Sequence, residues 1–373
     1  MNKSILIVSA GTGGHVFPAI SLGETLQEKG ERLFILTDSR AISYWPSTWE
    51  NIQVLSIKPL QKNLKGILIF TISLITSFIH CCRLLMRVKP SVVVMFGGYP
   101  TLPALGAAIL LRYPFVLHEQ NAVVGRVNYF FSRFAKCLAY SWPETKNLPL
   151  YPSLKLKMTG LPIRKMIGRL HEHRYDISRK DETFKVLILG GSQGAQVFNS
   201  LIPQALSLLP ETLQHRLEIF HQCREEEIIS VRAAYKKTQA AVDLRPFFKD
   251  IPKLLSTINF MISRSGASTL GEVATSGLPA VLVPYLYAKD DHQTANALNF
   301  ANIGAAWIIP QACFTVQRLN YILQAALKKP EVLLAASEAL NRLKSHKASE
   351  ALADLILNIV LTQNIKKRRT KVL

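Results

Sequence analysis

Ile5-Leu-Ile-Val-Ser-Ala10-Gly11-Thr-Gly-Gly-His15 and, half a chain later, Lys185-Val-Leu-Ile-Leu189-Gly190-Gly-Ser-Gln-Gly194 follow one plan: a short apolar run, then a glycine-rich turn. Runs of this length bounded by glycine read as buried strands. Apolar spacing through Ile20 and Leu26 to Gly30 predicts a helix after the first turn, and residues 198–209 predict one after the second. Further short apolar runs at 33–36, 92–96, 115–117, 258–263 and 280–283 alternate with helical stretches. Such alternation predicts βαβ units around parallel sheets, so the chain is expected to be α/β, with two doubly wound Rossmann-like domains. The expected divisions are 1–160, a linker rich in Arg, Lys and His at 161–182, and 183–345. A last helix follows, with Leu352, Leu355, Ile356, Ile359 and Val360 on one face, and then a basic tail at 366–373.

The chain has 373 residues, 49% apolar and 19% charged, which suits about two domains of roughly 150 residues and excludes disorder as the main state. Lys and Arg number 45 against 25 Asp and Glu, a net charge of +20 that calls for an anionic partner: nucleic acid, a phospholipid surface or a phosphorylated small molecule. Five cysteines, none spaced as C-x-x-C, fit neither a disulfide framework nor a thiolate metal site and suit a reducing compartment. The first apolar run is too short for a signal-peptide core. Residues 66–82 carry no charge and are interrupted only by His80, which puts them at the bottom of the spanning range of about 17–25 residues. Ser73, Thr76, Ser77, His80, Arg83 and Arg87 draw a polar stripe on that helix, and Lys58, Lys62, Lys65 and Lys89 stand around it. Three readings stand: a core helix with a solvated polar edge, a helix docked on an anionic bilayer through residues such as Leu74 and Phe78, and a span. The tail Lys366-Lys-Arg-Arg369 reads as a solvated end, with a weak lipid contact as the alternative.

Ligands of open parallel sheets gather beyond the carboxyl ends of the strands. As a dinucleotide fingerprint the first turn fails, because Val16 stands where Gly or Ala is needed; Asp38 would be the ribose acid on that reading. Neither turn carries Gly-Lys-Ser/Thr, which excludes a P-loop. Ser263-Arg-Ser-Gly-Ala-Ser-Thr269 lies between a strand and a helix and suits a diphosphate, and Glu272, expected in the first turn, is either a helix-dipole partner or a ribose acceptor. Asp290-Asp-His-Gln-Thr294 crowds polar groups into a loop. Gly97-Gly-Tyr-Pro100 and His118-Glu-Gln-Asn121 follow strands that end at the same sheet edge as His15. A His and a Glu there form either a general base with its orienting partner or two separate structural groups.

Taken in order, Gly11-Thr-Gly-Gly-His-Val-Phe-Pro18, Phe96-Gly-Gly-Tyr-Pro100, His118-Glu-Gln-Asn121, Gly190-Gly-Ser-Gln-Gly-Ala195, Ser263-Arg-Ser-Gly-Ala267, Gly277-Leu-Pro279 and Asp291-His-Gln-Thr-Ala-Asn296 resemble the MurG family, the peptidoglycan N-acetylglucosaminyltransferases of glycosyltransferase family 28. The resemblance runs from about residue 5 to 300. It implies the GT-B fold, two Rossmann-like domains facing each other across a cleft, with the last helix (346–365) crossing back to the first domain. It also implies inverting transfer of N-acetylglucosamine from UDP-GlcNAc to the C4 hydroxyl of undecaprenyl-diphospho-N-acetylmuramoyl-pentapeptide. The enzyme would need no cofactor and no metal, and would sit peripherally on the cytoplasmic side of the membrane. On the matching positions Thr12, Gly13, Gly14, Asn121, Arg164, Ser192, Ala267, Ser268, Thr269, Leu270, Gly271, Glu272 and Gln293 would contact the donor, with Glu272 on the ribose and Phe248 offering its backbone to uracil. His15 would be the base, with Glu119 second. An inverting transfer needs such a base, together with cations or N–H groups that hold the departing diphosphate.

Two positions depart from the family pattern: Ala10 replaces a glycine, and Leu161 replaces the Asn of the Gly-Asn-Pro-x-Arg stretch that leads to Arg164. The rivals are an NAD-dependent oxidoreductase, suggested by the first βαβ unit and Asp38, and a nucleic-acid-binding protein, suggested by the charge. The sequence shows no basic–aromatic stacking motif and no groove-reading helix for the latter. The positive charge then divides between a nucleotide diphosphate near Arg164 and Arg264 and lipid along residues 58–89.

Overall fold

A computed structural model describes residues 4–58, 63–172, 175, 182–191, 195–248, 250–343 and 347–372, the last ten of these by backbone alone. The chain divides into two compact units, Met1–Arg164 with Lys347–Leu373, and Lys165–His346. Of the stretch 161–182 read as a linker, Leu161 and Ile163 are buried in the first unit, while the short helix Lys165–Gly168 packs on the helix Ala267–Ser276 in the second.

The first unit holds strands β1 (Ser4–Val8), β2 (Arg32–Asp38), β3 (Ile52–Leu55), β4 (Val92–Met95), β5 (Phe115–Glu119), β6 (Cys137–Tyr140) and β7 (Lys155–Met158). Among the described residues they form one parallel sheet in the order β3-β2-β1-β4-β5-β6-β7. The second unit holds β8 (Phe184–Leu189), β9 (Leu217–Gln222), β10 (Ala241–Arg245), β11 (Phe260–Ser263), β12 (Ala280–Leu282) and β13 (Ala306–Ile308), again parallel, in the order β10-β9-β8-β11-β12-β13. Both orders reverse direction beside the unit's first strand, so each sheet has a switch point where a glycine turn opens. The doubly wound α/β reading holds in both units. Strands buried on both faces read as continuous apolar runs, and β4 and β11 are wholly buried.

One face of the first sheet is covered by the helices Gly13–Glu28 and Ala348–Val372, the latter burying Leu352, Ile356 and Val360. Each such side chain contributes about 2 kcal/mol by burial. The other face carries the helices Leu64–Val88 and Leu102–Leu110.

The helix Leu64–Val88 divides the expected polar stripe: Thr76, His80, Arg83 and Arg87 are exposed, while Ser73 and Ser77 are buried. Ser73, Ser77, Cys81, Leu84 and Leu85 face inward, and Ile72, Ile75 and Ile79 stand 51, 54 and 43% exposed with Ile67, Leu68 and Ile69. Small inward residues bring the backbone close to the helix Leu102–Leu110, where the Phe78 ring lies 3.2 Å from a Cβ built on Gly106. Burial of Ser73 costs little because its hydroxyl donates to Phe70 O at 2.8 Å. Leu74 and Phe78 are half-buried. The segment Lys65–Val88 is long and apolar enough to cross a bilayer, yet one face of it is set into the core of the unit. The side chains of the basic tail lie outside the described residues.

In the second unit His221, on β9, is fully buried, and its Nδ1 lies 2.8 Å from the Tyr235 hydroxyl. Desolvation pushes its pKa down to about 3. The unfolded chain takes up that proton near pH 6.5, so between about pH 6.5 and 3 it binds more protons than the fold and stability falls with pH. Unfolding temperatures measured from pH 7 to pH 5 are expected to fall, and His221→Leu to flatten that slope; an unchanged slope removes His221 as the cause.

Candidate functional site

Each glycine turn begins where a parallel strand ends. In the first unit the turn after β1 leads into Gly13–Glu28, whose N-cap Thr12 makes no side-chain cap, so the first-turn N–H groups are not closed off by that side chain. Gly13 is needed for close approach, since a Cβ there would lie 2.8 Å from the Phe17 ring. Arg164 stacks over the other part of that cluster, its Cζ 5.0 Å from the Phe17 centroid. Across the switch point Gly97 and Gly98 have φ of +79° and +84°, and a Cβ on Gly98 would lie 3.8 Å from His15 Nε2. The loop 96–100 therefore lies beside the His15 ring, and a side chain at Gly98 would be strained whatever its size.

Asp38 fixes the first turn. Its Oδ1 accepts from Gly11 N at 3.0 Å and Ala41 N at 3.1 Å, and its Oδ2 accepts from Arg40 Nε at 2.9 Å and Nη2 at 2.7 Å. Arg40 in turn stacks on Tyr99, 5.7 Å from the ring centroid. Both carboxylate oxygens are thus committed, and Asp38 is a brace between two loops, not the ribose acid of the oxidoreductase reading.

His118 and Glu119 close β5 and are both buried. His118 Nε2 lies 3.3 Å from Gly160 O, and a carbonyl only accepts, so that nitrogen carries the proton and Nδ1 accepts from Gln120 Nε2 at 3.3 Å. Burial pushes the His118 pKa down to about 4, with His15 lowering it further against the Gly160 carbonyl. The ring is a neutral structural group beside His15. Glu119 Oε1 accepts from Asn121 N at 3.0 Å and Nδ2 at 3.4 Å, and Oε2 accepts from Gly125 N at 2.9 Å and Asn128 Nδ2 at 2.8 Å. Desolvation raises its carboxyl pKa and these four donors oppose the rise. Glu119 staples residues 121–128, and its oxygens are occupied where a base needs one open. Asn128, which also donates to His118 O at 3.2 Å and crowds Gly97, carries no local sequence signal; only the folded contacts reveal it.

In the second unit the turn after β11 meets the helix Ala267–Ser276. Ala267, Leu270 and Gly271 are buried, while Ser268, Thr269 and Glu272 are half-buried. Glu272 is the sixth residue of that helix and lies in its second turn, which removes the first-turn dipole role. Arg264 departs from the expected place beside a diphosphate. Its side chain is buried between Phe198 and Tyr285, 5.0 and 5.4 Å from the ring centroids, and its Nη1 donates to Val283 O at 3.1 Å. Desolvation lowers its pKa, with Tyr285 opposing, and the guanidinium serves as a strut under the loop after β12. Gln293 is half-buried; its Oε1 accepts from Tyr285 N at 2.9 Å and its backbone carbonyl from Ser265 Oγ at 2.8 Å, which turns the amide nitrogen to other partners. Phe248 is buried edge-on to Phe220 at 6.3 Å, under Arg245. Ser192 lies outside the described residues. Among the described residues no three His, Cys, Asp or Glu side chains are grouped to hold a metal ion.

Residues 5–140 match the glycosyltransferase family 28 N-terminal domain and residues 185–354 its C-terminal domain. The chain is 38% identical over 354 residues to a protein of Rhodospirillum centenum, covering 95% of this chain and 93% of that one, and 38% identical over 371 residues to one of Brucella anthropi, covering 98% of each. Both bear the name UDP-N-acetylglucosamine--N-acetylmuramyl-(pentapeptide) pyrophosphoryl-undecaprenol N-acetylglucosamine transferase. The crystal structure of Acinetobacter baumannii MurG superposes with a TM-score of 0.76 at 31% identity, covering 95% of this chain and 99% of that one. The UDP-GlcNAc 2-epimerase of Neisseria meningitidis shares the fold, with a TM-score of 0.67 at 13% identity over 95% of this chain and 100% of that one.

If Glu119 is a brace, Glu119→Ala strands four donors and destabilises the first unit by about 3 kcal/mol. Urea unfolding measures this, and a loss below about 1 kcal/mol contradicts the brace.

Proposed function

The chain belongs to glycosyltransferase family 28, and from that premise we propose that it moves N-acetylglucosamine from UDP-GlcNAc to the C4 hydroxyl of undecaprenyl-diphospho-N-acetylmuramoyl-pentapeptide, with inversion and with His15 as base. It is a transferase of peptidoglycan synthesis with the two-Rossmann α/β fold of the GT-B class. The observation that carries the assignment of the base is the pairing of His15 with the Gly98 loop at the switch point, while Glu119 is fully occupied and His118 is held neutral.

In the reaction His15 takes the proton of the acceptor hydroxyl as its oxygen bonds to the anomeric carbon. The bond from that carbon to the diphosphate breaks, and UDP leaves with the electron pair. The departing charge needs N–H groups and cations already in place. On this reading the first turn of the helix Ala267–Ser276, with Ser268 and Thr269, meets the diphosphate, as does Arg164. Glu272 accepts from the ribose, the Phe248 backbone meets uracil, and the Gln293 amide nitrogen reaches the sugar. Thr12, Gly13, Gly14 and Asn121 line the donor from the first unit. Leu270 and Gly271 act through the backbone, and Ser192 is assigned by resemblance alone. The reading calls on no metal and no cofactor.

The exposed isoleucine face of Leu64–Val88, with Lys58 and Lys65 before it in the chain and Arg83, Arg87 and Lys89 after it, supports peripheral docking on anionic phospholipid at the cytoplasmic face, where a lipid-linked acceptor is presented. Nucleic acid is not needed to account for the charge.

Purified protein given labelled UDP-GlcNAc and a short-chain lipid-linked muramyl acceptor is expected to form the disaccharide. No transfer, together with no thermal stabilisation by UDP, overturns the reading. His15→Ala is expected to lower kcat by roughly 10²–10⁴ while UDP binds as before; unchanged kcat removes His15 as base. Ile72→Ser with Ile75→Ser is expected to release the protein from anionic vesicles, and equal retention rules out that face as the docking surface.

A further inference from the structure

Residues 159–164 precede the passage from the first unit to the second, and they do so without helix or strand. Irregular buried backbone must find partners for its carbonyls elsewhere. Leu161, where the family pattern has Asn, is fully buried and offers no hydrogen bond from its side chain. Two carbonyls of the segment are instead held by side chains. Gly160 O faces His118 Nε2 at 3.3 Å, and Ile163 O accepts from Ser21 Oγ.

Ser21 is fully buried in the helix that begins at Gly13, and the same helix carries His15. A serine hydroxyl has one proton, and Ser21 gives it to Ile163. The 2.7 Å contact between Ser21 Oγ and Ser349 Oγ therefore has Ser349 as donor. The next residue after Ile163 is Arg164, stacked on Phe17, and Phe17 fills the space beside Gly13.

We propose that Ser21 is a positioning residue for Arg164: by holding the Ile163 carbonyl it fixes the backbone from which the guanidinium meets the donor diphosphate. This rests on the reading of Arg164 as a donor contact. Ser349 supplies the internal comparison. Its loss removes a buried hydrogen bond of the same cluster yet leaves the Ser21–Ile163 bond in place, so it changes stability without moving Arg164.

Full-length Ser21→Ala is expected to raise the KM for UDP-GlcNAc about three- to tenfold, short of the ~100-fold that a 1 Å misplacement can cost, with kcat at saturating donor within about twofold. Ser349→Ala is expected to lower the unfolding temperature comparably and leave that KM within about twofold. In an Arg164→Ala background, Ser21→Ala is expected to add no further rise in KM. A KM that rises in both serine variants in step with lost stability overturns the positioning role, as does a raised KM in Arg164→Ala beside an unchanged KM in Ser21→Ala. An unchanged KM in Arg164→Ala overturns the donor-contact reading of Arg164, and the positioning role with it. Ser21→Cys keeps the size and a weak S–H donor; it carries the same comparison if Ser21→Ala does not accumulate folded, and an intermediate KM supports the proposal.

Discussion

A parallel strand cannot be returned by a hairpin; the chain must be carried back over the sheet, mostly along a helix, so every strand of a sheet ends at the same edge. Everything chemical in this molecule follows from that constraint. The turns after β1, β4 and β5 gather on one edge of the first sheet, and those after β8, β11 and β12 gather on one edge of the second. At the switch points the crossover helices diverge to opposite faces and leave a crevice between neighbouring turns. His15 and Gly98 meet at one of these because the chain has no other way to order seven parallel strands as β3-β2-β1-β4-β5-β6-β7.

An edge made of glycine turns is soft, and buried ionisable groups stiffen it. Asp38 ties the first turn to Arg40 and through it to Tyr99, and Glu119 ties the strand end to residues 121–128. Both oxygens of each carboxylate accept from protein donors. Removing an anion from water costs several kcal/mol, a cost that the four donors around Glu119 oppose without cancelling. Arg264 does the corresponding work in the second unit, as a cation capped by carbonyls and rings.

How much of this was legible in the sequence depended on how local the signal was. Strands β1, β4, β8 and β11 are buried on both faces and stand out as apolar runs. β7, reading Lys-Leu-Lys-Met, is mostly exposed and polar and gives no such run. The polar stripe on Leu64–Val88 was visible, but its division was not: Ser73 turns inward because its hydroxyl is satisfied within its own helix, Thr76, His80, Arg83 and Arg87 stay out, and hydropathy could not tell that isoleucine would face out with them. Motif order located His15, Glu119 and Arg264 at the strand ends. What Glu119 and Arg264 do there turned on which oxygen or nitrogen was already bonded, and that is decided by partners such as Asn128 and Val283, which no local pattern marks.

The first unit is closed by residues from the far end of the chain, since Leu352, Ile356 and Val360 complete the same core as Val16, Leu22 and Val94. During synthesis the ribosome must therefore make residues 165–346 while that face of the sheet has only the helix Gly13–Glu28 to cover it. At about 5–20 residues per second the delay is on the order of 10–40 s. The second unit's core cluster, by contrast, draws its buried residues from Phe184 to Leu333, without a return from elsewhere in the chain.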